Sequence, residues 1–414
     1  MKIVIATAVY CPQINGVAVF SHNLAVGLAK RGHEVMVICP SQTGKSYTRT
    51  IDGVKTVYLK SVEAKVYPDQ IHDIPKKRKI LGVKWPRLFY KNGFRVSVFP
   101  YPKIKKTLDS FNPDVVHVQV SDPIGLSVVS YARKKGIPVV TTEHNQPDVL
   151  TEPLHMPGFV RKPANYVLSA YFRNRQSKSD FVTMPTEMAI RNLIKSGEKF
   201  PVPVAAVSNG VDLKHFKPGK PAASFYKKYG LNPNYKTVLS LGRLDPEKKV
   251  GVLIESFLEA EKNLDKVQLV IVGDGVDKSR LEKMAAGHDN IHFLGRITPP
   301  ELYDVYRLGD VFATASEIET QGIVLIEAAA CGMPLIAVDK GAVAEVCRDG
   351  ENGYLCSPGS IDEISMALIR IVNEDDLRAL FSKKSLEIAK KHDFETTLDK
   401  YINIYQKVLN DKVN

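Results

Sequence analysis

The chain has 414 residues, 44% hydrophobic and 25% charged, the balance of a soluble protein large enough for two domains. No stretch approaches the eighteen or so apolar residues of a membrane span, and the opening run MKIVIATAVY lacks the length and cleavage site of a signal peptide. The five cysteines (Cys11, Cys39, Cys331, Cys347, Cys356) are scattered without metal-ligand spacing, which argues against a zinc module and for a reducing cytoplasm. The net charge of +12 is unevenly placed: residues 1–205 hold 30 Lys and Arg against 14 Asp and Glu, the remainder 27 against 31. A basic first half suggests a lobe that meets a polyanion, with nucleic acid and anionic membrane as the candidates.

In chain order, Lys2–Val9 has strand length and apolarity, and the loop from Tyr10 to Gly16 leads into a helix over Val17–Lys30 and a strand over Glu34–Cys39. This βαβ start lacks the GxGxxG dinucleotide fingerprint, which weighs against a nicotinamide or flavin enzyme. Gly16 stands where a loop meets a helix N-terminus, so it reads equally as a plain turn or as a place where phosphate approaches the backbone. Asp52–Ser61 reads as a strand. Tyr58–Tyr101 mixes KKRK (Lys76–Lys79), Lys84, Arg87, Lys91 and Arg95 with Trp85, Phe89, Tyr90, Phe94, Phe99 and Tyr101. Cations interleaved with aromatics suit an anionic membrane interface, the alternative being a solvated insertion whose aromatics are core, since Pro86 and Gly93 prevent a long amphipathic helix. No recognised nucleic-acid motif accompanies them, so nucleic acid is not expected as a partner.

The βα alternation resumes with strands over Val115–Val118 and Pro138–Thr142 around a helix at Ile124–Lys135. His117 and His144 both fall at strand ends. His144 is expected to be functional, because sites form at the C-terminal ends of central strands, whereas His117 is read as structural. A helix over Pro163–Lys178 preceding a strand at Phe181–Met184 is reason enough for most apolar residues of Leu154–Lys178, and its start could still touch a lipid or acceptor. Pro201–Val207 closes the first half, and the Pro-, Gly- and Lys-rich stretch Phe216–Ala223 reads as a linker.

A second alternation then begins. The strand Thr237–Leu241 ends at Gly242-Arg243, with Lys248 near the start of a helix over Val250–Ala260. A guanidinium and an ammonium beside a strand end can hold a diphosphate and stabilise the charge of a leaving nucleotide. Val267–Val272 ends in Gly273-Asp274-Gly275, and short strands are expected at Asn290–Phe293 and Asp310–Ala313. Phe312–Ala337 then supplies a strand, a polar loop bearing Glu319, a glycine at Gly322, a helix over Ile323–Cys331 carrying Glu327, and another strand. Carboxylates accept vicinal hydroxyls, and free N–H groups at a helix start suit phosphate. Three helices follow, about Ile361–Asn373, Asp375–Lys390 and Glu395–Leu409.

Together these residues resemble a known family. Leu241–Lys248 (LGRLDPEK) is similar to the GRLxxEK signature of retaining glycosyltransferases of family four, and Glu319 with Glu327 matches that family's E-x-seven-E motif. Val207–Asp212 (VSNGVD), Val272–Gly275 (VGDG) and Asn15-Gly16-Val17 match in order and place. The resemblance implies an α/β protein of GT-B fold, two Rossmann-like parallel-sheet domains facing each other across a cleft. The expected division is an acceptor- and membrane-facing domain over 1–207 and a nucleotide-sugar domain over 208–392, with a terminal helix of about 393–414 crossing back onto the first. Arg243 and Lys248 would bind the donor diphosphate, Glu327 the ribose, and Glu319 with the backbone around Gln321, Gly322 and Ile323 the donor sugar. Gly16 would admit phosphate or sugar, His144 would reach the sugar or acceptor hydroxyl, and the base would lie near Gly273 and the turn containing Arg296 and Ile297.

Lys249 departs from the family's usual glycine and Gln321 from its frequent phenylalanine. Glu319-Thr320-Gln321-Gly322 resembles the lipid-glycosylating branch, including diacylglycerol glucosyltransferases and phosphatidylinositol mannosyltransferases. The expected enzyme is cytoplasmic, peripherally bound at the inner face of the cell membrane, and moves a hexose from a nucleotide-sugar, UDP-glucose favoured, to a lipid such as diacylglycerol. No cofactor is required and metal is dispensable, since the basic pair does a cation's work. The rival readings are a transferase with a soluble sugar or metabolite acceptor and a GT-B sugar-nucleotide epimerase.

Overall fold

A computed structural model describes residues 1–13, 15–63, 95–119, 122–144, 158–195 and 199–413. Most of the basic and aromatic stretch read between 58 and 101 lies outside these residues. The chain divides into two compact units, Met1–Val207 with Leu398–Asn414, and Ser208–Thr397.

Unit 1 runs β1 (Lys2–Ala6), α1 (Gly16–Lys30), β2 (Glu34–Pro40), β3 (Tyr47–Ile51), β4 (Val54–Leu59), β5 (Val62–Glu63), β6 (Arg95–Val96), α2 (Tyr101–Phe111), β7 (Val115–Val118), α3 (Pro123–Lys135), β8 (Val139–Thr142), α4 (Gly158–Gln176), β9 (Phe181–Met184), α5 (Glu187–Lys195) and β10 (Val204–Ala206). Its main sheet has the order β10-β9-β8-β7-β1-β2-β4-β3 and is parallel except for β3, which pairs antiparallel with β4. The strand expected over Asp52–Ser61 therefore starts two residues late. Asp52 and Gly53 both have positive φ and form the hairpin turn that an Asp-Gly pair favours. β1 and β7 to β9 are buried on both faces, which is why they read as unbroken apolar runs. α4 begins at Gly158 and carries Pro163 inside it, so the helix expected from Pro163 is longer by a turn and more.

Unit 2 runs α6 (Ala223–Tyr229), β11 (Lys236–Leu241), α7 (Val250–Ala260), β12 (Val267–Val272), α8 (Lys278–Met284), β13 (Ile291–Gly295), α9 (Glu301–Leu308), β14 (Val311–Ala313), α10 (Ile323–Ala330), β15 (Leu335–Val338), β16 (Gly353–Cys356), α11 (Ile361–Asn373), α12 (Asp375–Lys390) and the start of α13 (Phe394–Val413), whose residues from Leu398 count with unit 1. The parallel order β13-β12-β11-β14-β15-β16 is the doubly wound 3-2-1-4-5-6 arrangement, in which the order reverses between first and fourth strands and ligands sit beyond the strand C-termini. One face packs on α7 and α11 through Val238, Leu269, Ile254 and Leu368. The other packs on α9 and α10 through Leu239, Val270, Tyr306 and Leu325.

Phe216–Ala223 is not a linker. Phe216 is buried against the edges of Tyr303 and Tyr306, so its aromatic ring anchors a stretch whose composition alone suggested freedom. The departure at Lys249 is also explained. Its φ is 52°, the left-handed corner between a single 3-10 turn at Pro246–Lys248 and α7, where glycine is the cheaper residue.

Candidate active site

In unit 2 the switch between β11 and β14 brings two loops together. The loop after β11 carries Arg243 and Lys248, and the loop after β14 carries Glu319. Lys248 Nζ lies 2.5 Å from Glu319 Oε1 and 3.4 Å from both Ser316 Oγ and the Ile318 carbonyl, with both charged side chains less than one-fifth exposed. Two sites 71 residues apart in sequence are thus joined by a charge-assisted hydrogen bond. Arg243 is held differently, donating to its own loop's Asp245 and, at 2.8 Å, to Glu247. Burial pushes the Asp245 carboxyl up and the Arg243 charge opposes that shift.

Backbone bonds tie this loop to the ends of β12 and β13. Gly242 N–H donates to Val272 O at 3.0 Å, Leu244 N–H to Asp274 O at 3.0 Å, and Gly273 N–H to Gly295 O at 2.9 Å. Gly273 has φ 143°, and a Cβ there would lie 1.8 Å from the Gly242 carbonyl oxygen, so only glycine lets the strands' ends approach so closely. Arg296 is exposed and Ile297 partly buried in the turn that follows.

Gly322 caps α10 at φ 73°, which places Ile323 in the first turn, where the N–H groups have no partner within the helix. The Gln321 side chain is spent inside the unit, which is compatible with the expectation that its backbone faces the donor sugar. Its Nε2 donates to Ser208 Oγ at 2.7 Å and its Oε1 accepts from Asn209 N–H at 3.1 Å. It fastens the loop of Glu319 to the Ser208–Gly210 turn, and only its backbone is left to face a ligand. Glu327, partly exposed on α10, accepts a hydrogen bond from the Tyr306 hydroxyl. Its apolar surroundings push the carboxyl up to about 7, against the opposing effect of that hydrogen bond. Glu319 and Glu327 share the end of the sheet beyond β14 but have different partners, an ammonium and a phenol. Tyr306 was missed in the sequence, since mid-helix it reads as plain core.

In unit 1 the order reverses between β1 and β7. Gly16 is the first residue of α1, and Asn15 caps the helix by accepting from Ala18 N–H at 2.9 Å. His144, just beyond β8, is buried. Its Nε2–H donates to Gln119 Oε1 at 2.7 Å, and its ring meets the edge of Phe20 at 5.5 Å. Burial lowers its pKa to about 4, so the ring is neutral at physiological pH with Nδ1 as its acceptor. His117 is fully buried between Tyr405 and Thr142, at 2.7 Å from each hydroxyl, and is lowered to about 3 by burial and by His144. That is a structural histidine. Gln119, absent from the sequence reading, bridges the pair, with its Nε2 3.1 Å from His117 Nε2. Among the described residues no group of three or more His, Cys, Asp and Glu is arranged to hold a metal.

The arrangement provides cations for a diphosphate, carboxylates for hydroxyls and a helix start for an anion, all at strand ends. Comparison with known proteins gives the family of the chain that carries it. Residues 14–215 match the family described as Glycosyltransferase Family 4, and residues 223–387 match Glycosyl transferases group 1. The chain is 27% identical over 404 residues to the alpha-monoglucosyldiacylglycerol synthase of Acholeplasma laidlawii, covering 94% of this chain and 93% of that one. It is 28% identical over 395 residues to a GDP-mannose-dependent alpha-mannosyltransferase of Mycobacterium tuberculosis, covering 93% and 92%. The solved structure of Anabaena Alr3699/HepE in complex with UDP-glucose superposes with a TM-score of 0.69 at 18% identity, over 98% of this chain and all of that one. No described helix is long and apolar enough to cross a membrane. The chain belongs to the family-four glycosyltransferases, with the two parallel-sheet α/β units of the GT-B fold, and transfers a hexose from a nucleotide-sugar.

Proposed function

We propose that this enzyme is a retaining glucosyltransferase that moves glucose from UDP-glucose to diacylglycerol, working peripherally at the inner face of the cell membrane. The Lys248–Glu319 pair carries the reading. Each partner has a natural replacement in a nucleotide-sugar: a phosphate oxygen for the ammonium and sugar hydroxyls for the carboxylate. Donor binding would exchange one ion pair for two matched contacts, so recognition of phosphate and of sugar is coupled. Arg243 adds charge for the second phosphate, Glu327 accepts the ribose hydroxyls, and Gly273 with Arg296 and Ile297 borders the base. Residues 208–392 thus serve the donor and 1–207 the acceptor, with Gly16 and His144 at the working edge of unit 1.

Glu319 is engaged by the Lys248 ammonium, which favours a front-face route over a covalent glycosyl-enzyme. The acceptor oxygen bonds to the anomeric carbon as the bond to the phosphate oxygen breaks, and the acceptor's proton passes to the departing diphosphate. Lys248 and Arg243 offset the charge that develops there, so no metal is required. The name of the Acholeplasma relative and the basic charge of residues 1–205 support a lipid acceptor at an anionic surface. A matrix of radiolabelled nucleotide-sugars against single lipids tests the reading. The expected result is label from UDP-glucose in the organic phase with diacylglycerol, unchanged by EDTA. Label confined to a water-soluble product supports a soluble acceptor, donor conversion without acceptor supports an epimerase, and reversible loss with EDTA refutes the metal-free claim.

A further inference from the structure

α4 is longer than the two strands it connects. Its 19 residues span roughly 28 Å, whereas β8 and β9, at four residues each, span about 13 Å. Its C-terminal end is anchored. Arg175 is buried, paired with Glu143 at 3.0 Å, and lies over the rings of Tyr171 and Phe172, and Gln176 is buried beside it. The helix runs back against the parallel strands, so its N-terminal half extends past the sheet's C-terminal edge, the edge that carries Gly16 and His144. That half is where the apolar surface is bare. Phe159 is 81% exposed, Tyr166 71% and Val167 65%, and the spacing of 159, 166 and 167 with Pro163 and Ala170 puts them on one helical face. Phe99, 90% exposed at φ 51°, stands just before α2, whose N-terminus lies at the same edge because α2 also runs back against β7.

Exposed aromatics of this size on one face call for a partner, and the charge around them selects it. Arg161 and Lys162 are exposed within that N-terminal half, Arg173 and Lys178 follow further along, Arg175 is committed to Glu143, and no acidic residue falls between Pro153 and Ser179. Two copies of such a face would repel one another. An anionic bilayer surface matches both features, since cations meet headgroups while aromatic and aliphatic side chains enter the acyl boundary. We propose that the N-terminal half of α4 is a membrane-inserting face, with Phe159, Tyr166 and Val167 entering an anionic bilayer beside the working edge of unit 1. This rests on the lipid-acceptor reading and adds to it an insertion component that charge alone does not supply.

Flotation of the full chain with phosphatidylglycerol–phosphatidylcholine vesicles, at low salt and at about 1 M salt where exposed charges are screened, tests it. Wild type keeps a salt-resistant bound fraction. The variant Phe159→Gln/Tyr166→Gln/Val167→Gln loses that fraction by about tenfold or more, with an unchanged circular dichroism spectrum and thermal midpoint, while Phe159→Trp keeps it. Equal flotation of wild type and triple variant at high salt overturns the proposal. So does a wild type with no salt-resistant fraction, or one that sediments as a dimer which the triple substitution splits. Failure of the lipid-acceptor reading shows separately, as wild type that floats but puts no label into lipid.

Discussion

Glu327 sets function against stability in a way that a single atom change exposes. The carboxyl titrates at about 7 in the fold against an ordinary 4.5, chiefly because of burial. Below pH 4.5 both folded and unfolded states hold the proton, and the residue is neutral to stability. As pH rises from 4.5 toward 7 the unfolded state ionises first, so the fold loses stability, and above 7 the loss is constant. For this shift the full loss is about 3 kcal/mol, an upper bound because the side chain is partly exposed. Glu327→Gln keeps the shape and an acceptor for the Tyr306 hydroxyl but removes the titration. Guanidinium unfolding at pH 5 and pH 8 is therefore expected to show variant and wild type nearly equal at pH 5, and the variant more stable by about 1 to 3 kcal/mol at pH 8. Donor affinity is expected to move the other way. An ionised carboxylate accepts hydroxyls more strongly than an amide oxygen, so the variant should bind nucleotide-sugar about tenfold or more weakly at pH 8. A stability gap that is the same at both pH values would refute the reasoning.

Lys248→Met should lower kcat/KM by about a hundredfold or more through loss of charge stabilisation at the leaving diphosphate. Steady-state kinetics within a few-fold of wild type would remove Lys248 from that role. Gly273→Ala places a methyl 1.8 Å from the Gly242 oxygen at a φ of 143°, and should cost about 3 kcal/mol or more in thermal or chemical unfolding. Gln119→Glu sets a carboxylate against His144 Nε2, which favours the charged ring and raises its pKa from about 4. If a neutral His144 supports turnover, the acid limb of the rate profile moves to higher pH, and an unmoved limb argues against that role.

Much of the fold was legible because parallel strands covered on both faces leave continuous apolar runs, and Val115–Val118 and Val267–Val272 needed nothing further to be read as strands. The signatures around Arg243, Lys248, Glu319 and Glu327 were legible because charged residues at fixed spacing beside strand ends and a helix start stand out from the apolar runs that flank them. Composition failed at Phe216–Ala223, where one buried ring outweighed the prolines and glycine, and at Asp52-Gly53, where a turn signal lay inside an otherwise strand-like run.

Pairing is what the chain order could not show. Lys248 and Glu319 meet only because β11 and β14 are neighbours across the reversal of strand order, and Gln119 reaches His144 only because β7 and β8 lie side by side. The raised carboxyl of Glu327, the lowered ring of His144, and the commitment of Gln321 to Ser208 and Asn209 depend on desolvation and on partners distant in sequence. The identities of these groups are written in the chain. Their charge states and partners are set by packing, because burial and distance act through space, not along the sequence.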